Sequence, residues 1–150
     1  MNMSLSDWAH NGWLVEHHAT PREIADLLGV ADRDLQDSVV RGLSDDWRLA
    51  IAYNAALQCA VAALAASGYR ASREAHHYRV IQSLVLTIGA ETALVAQLDA
   101  FRKKRNVGDY ERAGAVSTRE ADEMVALARQ LRHRAAQWLR LHYPGTMRTT

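Results

Sequence analysis

Cysteine is almost absent: Cys59 is the only one in 150 residues. A single thiol excludes an internal disulfide framework and any all-cysteine zinc site. Proline is nearly as scarce, with Pro21 and Pro144 close to the two ends, and glycine numbers only eight. Long helices can therefore run between them without a strong breaker. No charge of one sign dominates either. Eighteen Lys and Arg face seventeen Asp and Glu, a net of +1, which excludes a global field for polyanions or anionic membrane surfaces. The first residues lack a basic-then-apolar run and instead hold Asp7, His10 and Glu16 among Trp8 and Trp13, so a cytoplasmic protein is expected.

With hydrophobic residues at 49%, a chain of this length forms one domain that buries roughly two-thirds of its unfolded surface. Leu49 to Tyr69 contains no charged residue and has about the length of a bilayer span. Asn54, Gln58, Ser67 and many alanines give it little transfer energy, so a central buried helix is expected and no membrane.

Capping chemistry sets the element boundaries. Thr20, Pro21 and Glu23 predict a helix start, Gly29 its end, and one or two further turns follow over 31–40. Ser44, with Asp45 and Asp46 behind it, opens a helix running to Ala66. That helix carries two stripes: Leu49, Tyr53, Ala56, Ala60 and Ala63, then Leu57, Val61 and Leu64. Two stripes imply more than one packing neighbour, and small residues allow close approach. Helices are predicted over 73–88, stopped by Gly89, and over 91–106 with Leu94, Leu98 and Phe101. Around Asn106-Val107-Gly108-Asp109 that helix is expected to bend or loosen. Ser117 and Glu120 form a capping box for an amphipathic last helix through Met124, Leu127, Leu131, Ala135 and Trp138. No alternating strand pattern is visible. The expected class is all-α: an antiparallel four-to-five-helix bundle with short N-terminal helices. Residues 1–43 form an extension on the bundle, 44–143 the bundle, and 144–150 a tail.

The sharpest chemical feature is Phe101-Arg102-Lys103-Lys104-Arg105-Asn106-Val107-Gly108-Asp109-Tyr110. Arg105 is eleven residues after Leu94, so at about 100° per residue it returns within roughly 20° of the same direction. It shares the apolar stripe and points toward the bundle or a partner. A guanidinium there needs acceptors: either a carboxylate such as Asp99, Asp109 or an acid of the last helix, or a bound anion, to which Arg is well shaped. Arg102, Lys103 and Lys104 add positive potential or simply face water. His76 and His77 read as packing or capping residues, because adjacent histidines on a helix diverge. No metal-ligand spacing is present, and no metal or cofactor is implied.

The pattern Ala52-Tyr53-Asn54-Ala55-Ala56, Ala60, Ala63-Leu64, Gly68-Tyr69, His77 and Ile81, followed by Arg105-Asn106-Val107-Gly108-Asp109-Tyr110, resembles the HEPN domain superfamily. It is closest to stand-alone bacterial members with an Arg-Asn-x-x-Asp-Tyr segment. The resemblance spans about 44–142. It implies a helical bundle that is commonly a homodimer and associates with RNA or nucleotides. Many members are metal-independent endoribonucleases, including toxins paired with a nucleotidyltransferase-fold antitoxin. Their motif is an Arg, a polar residue and then a His. Arg105 matches the first, Asn106 the second, and Tyr110 stands where the His would be. The resemblance thus assigns Arg105, Asn106 and Tyr110 as catalytic candidates, with Arg102, Lys103, Lys104 and Asp109 as RNA-binding ones. A phenol with a pKa of about 10 is a poor base beside an imidazole, but Tyr110 can orient a phosphate or stack on a base.

Two readings of other classes stand beside this one. Thr20 to Val30 looks like the first helix and turn of a helix-turn-helix DNA-binding regulator, with 31–40 as its recognition helix. Asp32, Asp34 and Asp37 would repel phosphates there. The other reading is a non-catalytic interaction subunit whose apolar stripes and Trp residues dock a second chain.

Overall fold

The computed structural model describes residues 3–110 and 115–147, with side chains described throughout except at 106–110 and 147. Six α-helices appear among the described residues: α1 (Leu5–His10), α2 (Pro21–Asp37), α3 (Asp45–Ala66), α4 (His76–Ser83), α5 (Thr92–Tyr110) and α6 (Thr118–His142). A 3-10 turn follows at Pro144–Met147. The molecule is a mostly α-helical bundle, as its sequence leads one to expect.

The predicted caps form. Thr20, Ser44 and Ser117 each accept a bond from the backbone N–H three residues on, and Ser117 and Glu120 complete a reciprocal capping box. Glu23 departs from the expected box: its carboxylate meets His17 Nε2 at 2.5 Å.

α3 is the spine. Its fully buried residues include Leu49, Tyr53, Ala56, Ala60 and Leu64, and α2, α4, α5 and α6 all pack on it. It is long and apolar enough, by length and composition, to cross a membrane, with an 18-residue window of mean hydropathy 1.7 that is 67% buried. Burial to that degree is what a core helix shows. Asp34 on α2 accepts from Asn54 on α3 at 2.7 Å, while Leu27 and Val61 wall one cavity, so these helices run antiparallel. Lys104 with Glu120 and Glu91 with Arg134 make α5 antiparallel to α6. Between α3 and α6 the direction is shared. Arg48 reaches Asp122 at 2.6 Å and Thr118 bonds Asp45 at 2.7 Å, which brings the two helix starts together.

Three local expectations need correction. Gly29 does not end a helix, because α2 runs unbroken from Pro21 to Asp37. Ile24, Leu28, Ala31 and Asp34 form one buried stripe through it, and packing that stripe outweighs the roughly 1 kcal/mol a helical glycine costs. The turn required by a helix-turn-helix unit is therefore not there. Second, α4 is shorter than 73–88. It covers only His76–Ser83, and the chain continues in tight turns in which Leu84, Val85 and Leu86 each bond a carbonyl three residues back. Gly89, with φ +72°, then closes the segment as expected. Third, two short strands exist, β1 (Leu14–Glu16) and β2 (Tyr69–Ala71), paired antiparallel with Val15 opposite Arg70. This ribbon holds the N-terminal segment against the end of α3.

Candidate functional site

The chemistry-bearing side chains gather where α3, α4 and α5 meet. Tyr53 on α3 is 1% exposed, and its hydroxyl lies 3.3 Å from His77 Nδ1 on α4. Burial, opposed by the nearby charges of Arg105 and Arg102, pushes the phenol up to about 12. It therefore stays protonated at neutral pH. For His77, burial is the largest cause of a pKa held below the ordinary 6.5, followed by His76, Arg105 and Arg102. Desolvation and like charge both disfavour the imidazolium, so at neutrality this ring is an uncharged base.

The start of α4 is unusual. Its N-cap residue is Ala75, which has no side chain to satisfy the first-turn N–H groups and sits in the left-handed region at φ +53°. A non-glycine residue held there stores on the order of 1–3 kcal/mol. An uncapped first turn presents backbone donors and the positive end of the helix dipole. Ala75, His76, His77 and Tyr78 line an open recess of about 510 Å³, and Arg102 from α5 completes it. The exposed Tyr78 ring lies between the guanidinium carbons of Arg79, at 5.5 Å, and Arg102, at 5.8 Å. Arg79 in turn lies 3.7 Å over the Trp13 ring.

The basic run divides by partner. Arg102 Nε donates to Asp99 at 2.7 Å, Lys103 approaches the same carboxylate at 3.7 Å, and Lys104 lies 3.4 Å from Glu120. Arg105 falls on the stripe of Leu94, Leu98 and Phe101, all three buried, as its spacing predicts. It makes no ion pair among the described residues. Its guanidinium carbon stands 5.4 Å from the Tyr53 ring centroid, and its Nε is buried without a hydrogen-bond partner. Asn106, Asp109 and Tyr110 belong to the helical backbone of α5, but their side chains lie outside the described residues.

Arg102 and Arg105 thus come together with three residues that sequence reasoning did not select: Tyr53, His77 and Tyr78. Tyr53 and His77 are 24 residues apart, and no local spacing rule links them. The available signal was a paired His at a helix start followed later by an Arg-rich stripe. Among the described residues, no three His, Cys, Asp or Glu side chains gather where a metal ion could sit. Comparison with protein-family models, with curated proteins and with solved structures finds no match.

Proposed function

We propose that this protein is a HEPN-like RNA- or nucleotide-binding domain that holds a phosphate beside Arg102 and Arg105, and that His77 supplies the base for metal-independent RNA cleavage. The observation that carries the reading is Arg105: a half-buried guanidinium with no carboxylate partner among the described residues and an unbonded Nε. Such a group calls for an anion, and phosphate matches its fork of donors. The uncapped start of α4 adds backbone donors to the recess that Arg102 completes, the arrangement that suits anions at helix N-termini.

In the tautomer whose Nδ1–H donates to the Tyr53 oxygen, His77 Nε2 keeps its lone pair. An RNA 2′-hydroxyl placed there would lose its proton to Nε2 and attack the adjacent phosphorus. The P–O5′ bond breaks, a 2′,3′-cyclic phosphate forms, and the leaving oxygen takes its proton from solvent at the open mouth. Arginine charge would stabilise the added negative charge in the transition state. This chemistry places the imidazole on α4 rather than at the position of Tyr110. From the same resemblance come two further proposals, a homodimer and a nucleotidyltransferase-fold antitoxin partner.

The test is incubation of the purified protein with a mixed-sequence RNA in EDTA, alongside Arg105→Ala and His77→Gln. Binding is expected to weaken at least about tenfold in Arg105→Ala, the scale of one charge-assisted contact. Cleavage with cyclic-phosphate ends is expected in the parent and not in His77→Gln. RNA affinity unchanged by Arg105→Ala would remove this site. Binding without cleavage in the parent would leave a recognition module and remove the catalytic role of His77.

A further inference from the structure

Beside the cationic recess, on the far side of His76, a separate cavity of about 240 Å³ opens between α2, α3, α4 and β2. Its walls are largely aliphatic, from Leu27, Val61, Leu64 and Val80, joined by Tyr69. Polar groups enter through the hydrogen-bonded His17 and Glu23, through Arg70, and through His76. His76 also lines the recess that holds His77, Tyr78 and Arg102. One residue therefore separates an apolar chamber from the recess that Arg102 completes, and the His76 and His77 rings meet edge to face at 5.9 Å.

We infer that this cavity is a nucleobase pocket, receiving the base of a nucleotide whose phosphate lies in the neighbouring recess. The inference rests on the phosphate-binding role of Arg102 and Arg105 proposed above. Size limits the occupant: the cavity is below the roughly 300–1,000 Å³ of pockets for drug-sized ligands, so it fits one ring system rather than a whole nucleotide. Chemistry limits it further. The occupant needs a flat apolar face for Leu64, Val80 and Tyr69, an edge that hydrogen-bonds with the His17–Glu23 pair, and an anionic group attached close by. A nucleobase on its sugar phosphate has all three, and base recognition generally combines stacking with edge hydrogen bonds. A Glu23 carboxylate at that edge accepts from an exocyclic amine, which favours adenine, guanine or cytosine over uracil.

The experiment is calorimetric titration of the full chain with inorganic phosphate, hexyl phosphate and the four nucleoside 5′-monophosphates. The amine-bearing nucleotides are expected to bind at least about tenfold more tightly than inorganic phosphate, the lower end of what stacking one base contributes. Val61→Phe, which fills the chamber from a partly exposed position, should remove that advantage and leave inorganic phosphate binding unchanged. Leu27→Phe gives the same readout from the opposite wall if Val61→Phe folds poorly. Arg105→Ala should weaken every ligand alike. Nucleotides that bind no better than inorganic phosphate would overturn the pocket while leaving the phosphate site intact. Hexyl phosphate equal to the nucleotides would also overturn it, since any apolar body would then suffice. Loss of inorganic phosphate binding from the parent protein would strike instead at the reading beneath it.

Discussion

Replacing Arg105 by methionine separates a structural arginine from a functional one. The side chain lies along a buried stripe over Tyr53, and its Nε makes no hydrogen bond. A buried donor left unpaired costs roughly 1–3 kcal/mol, and the repulsion from nearby Arg102 adds to that. Against it stands the attraction between the guanidinium and the Tyr53 ring, about 0.5–2 kcal/mol. Methionine offers a similar apolar stem along the same stripe and over Tyr53, so much of that packing is kept. The balance is a gain of about 1 kcal/mol, which for a chain of this size raises Tm by roughly 2–4 °C. RNA binding should fall at the same time. Urea unfolding followed by circular dichroism, paired with a filter-binding titration, measures both. A variant destabilised by more than about 1 kcal/mol, with RNA affinity unchanged, would refute the reasoning. It would show that the guanidinium holds the fold together and takes no anion.

Gly29→Ala probes the unbroken α2. A Cβ built at Gly29 meets nothing within 4 Å, so alanine should stabilise the protein by about 0.5–1 kcal/mol in urea unfolding; a turn at Gly29 would make the same substitution destabilising. For His77 the sign follows from its lowered pKa. Above pH 6.5 both folded and unfolded chains carry the neutral ring and stability is full. As pH falls through 6.5 the unfolded chain takes up a proton that the folded one resists, so stability declines until the folded ring also titrates. His77→Gln should flatten that acid limb in unfolding measured across pH 4.5–7.5, and a limb of unchanged slope would place the proton uptake elsewhere.

Helix boundaries were readable wherever one side chain makes the cap, as at Ser44 and Ser117, because the bond is local. Gly29 misled because its effect is small and the packing of the α2 stripe of Ile24, Leu28 and Ala31 against α3 is a tertiary matter. The β1–β2 ribbon was invisible for a similar reason. Three-residue strands show no period, and Leu14 meets Ala71 across the length of two helices. Trp47 is 63% exposed, since a capped first turn fixes its backbone without burying its ring. In the candidate site, the direction of Arg105 followed from helical geometry, whereas its lack of a carboxylate did not. That depended on Arg102 and Lys103 sharing Asp99 and on Lys104 taking Glu120.

Several other arginines have a carboxylate or water as partner, while Arg79, partly buried over the Trp13 ring, has neither ion pair nor side-chain hydrogen bond among the described residues. Arg48 is held by Asp45 and Asp122, Arg132 by both oxygens of Asp32, and Arg134 by Glu91. Arg22, Arg73 and Arg129 lie exposed, where water does the same work. Arg105 has no carboxylate and its Nε is shut from water as well, and α4, whose His77 bonds the same Tyr53 that Arg105 covers, begins with no side-chain cap and with an alanine in a left-handed conformation. Each of these features is unfavourable for stability taken alone, and a sequence selected only to fold would have removed them at little expense, with an Asn or Gly at position 75 and a Leu or Met at 105. Their concentration around one histidine fits the phosphate site proposed above, since local conflicts with folding gather at functional sites. A bound phosphate would resolve them together, satisfying the guanidinium and the open helix start with one anion.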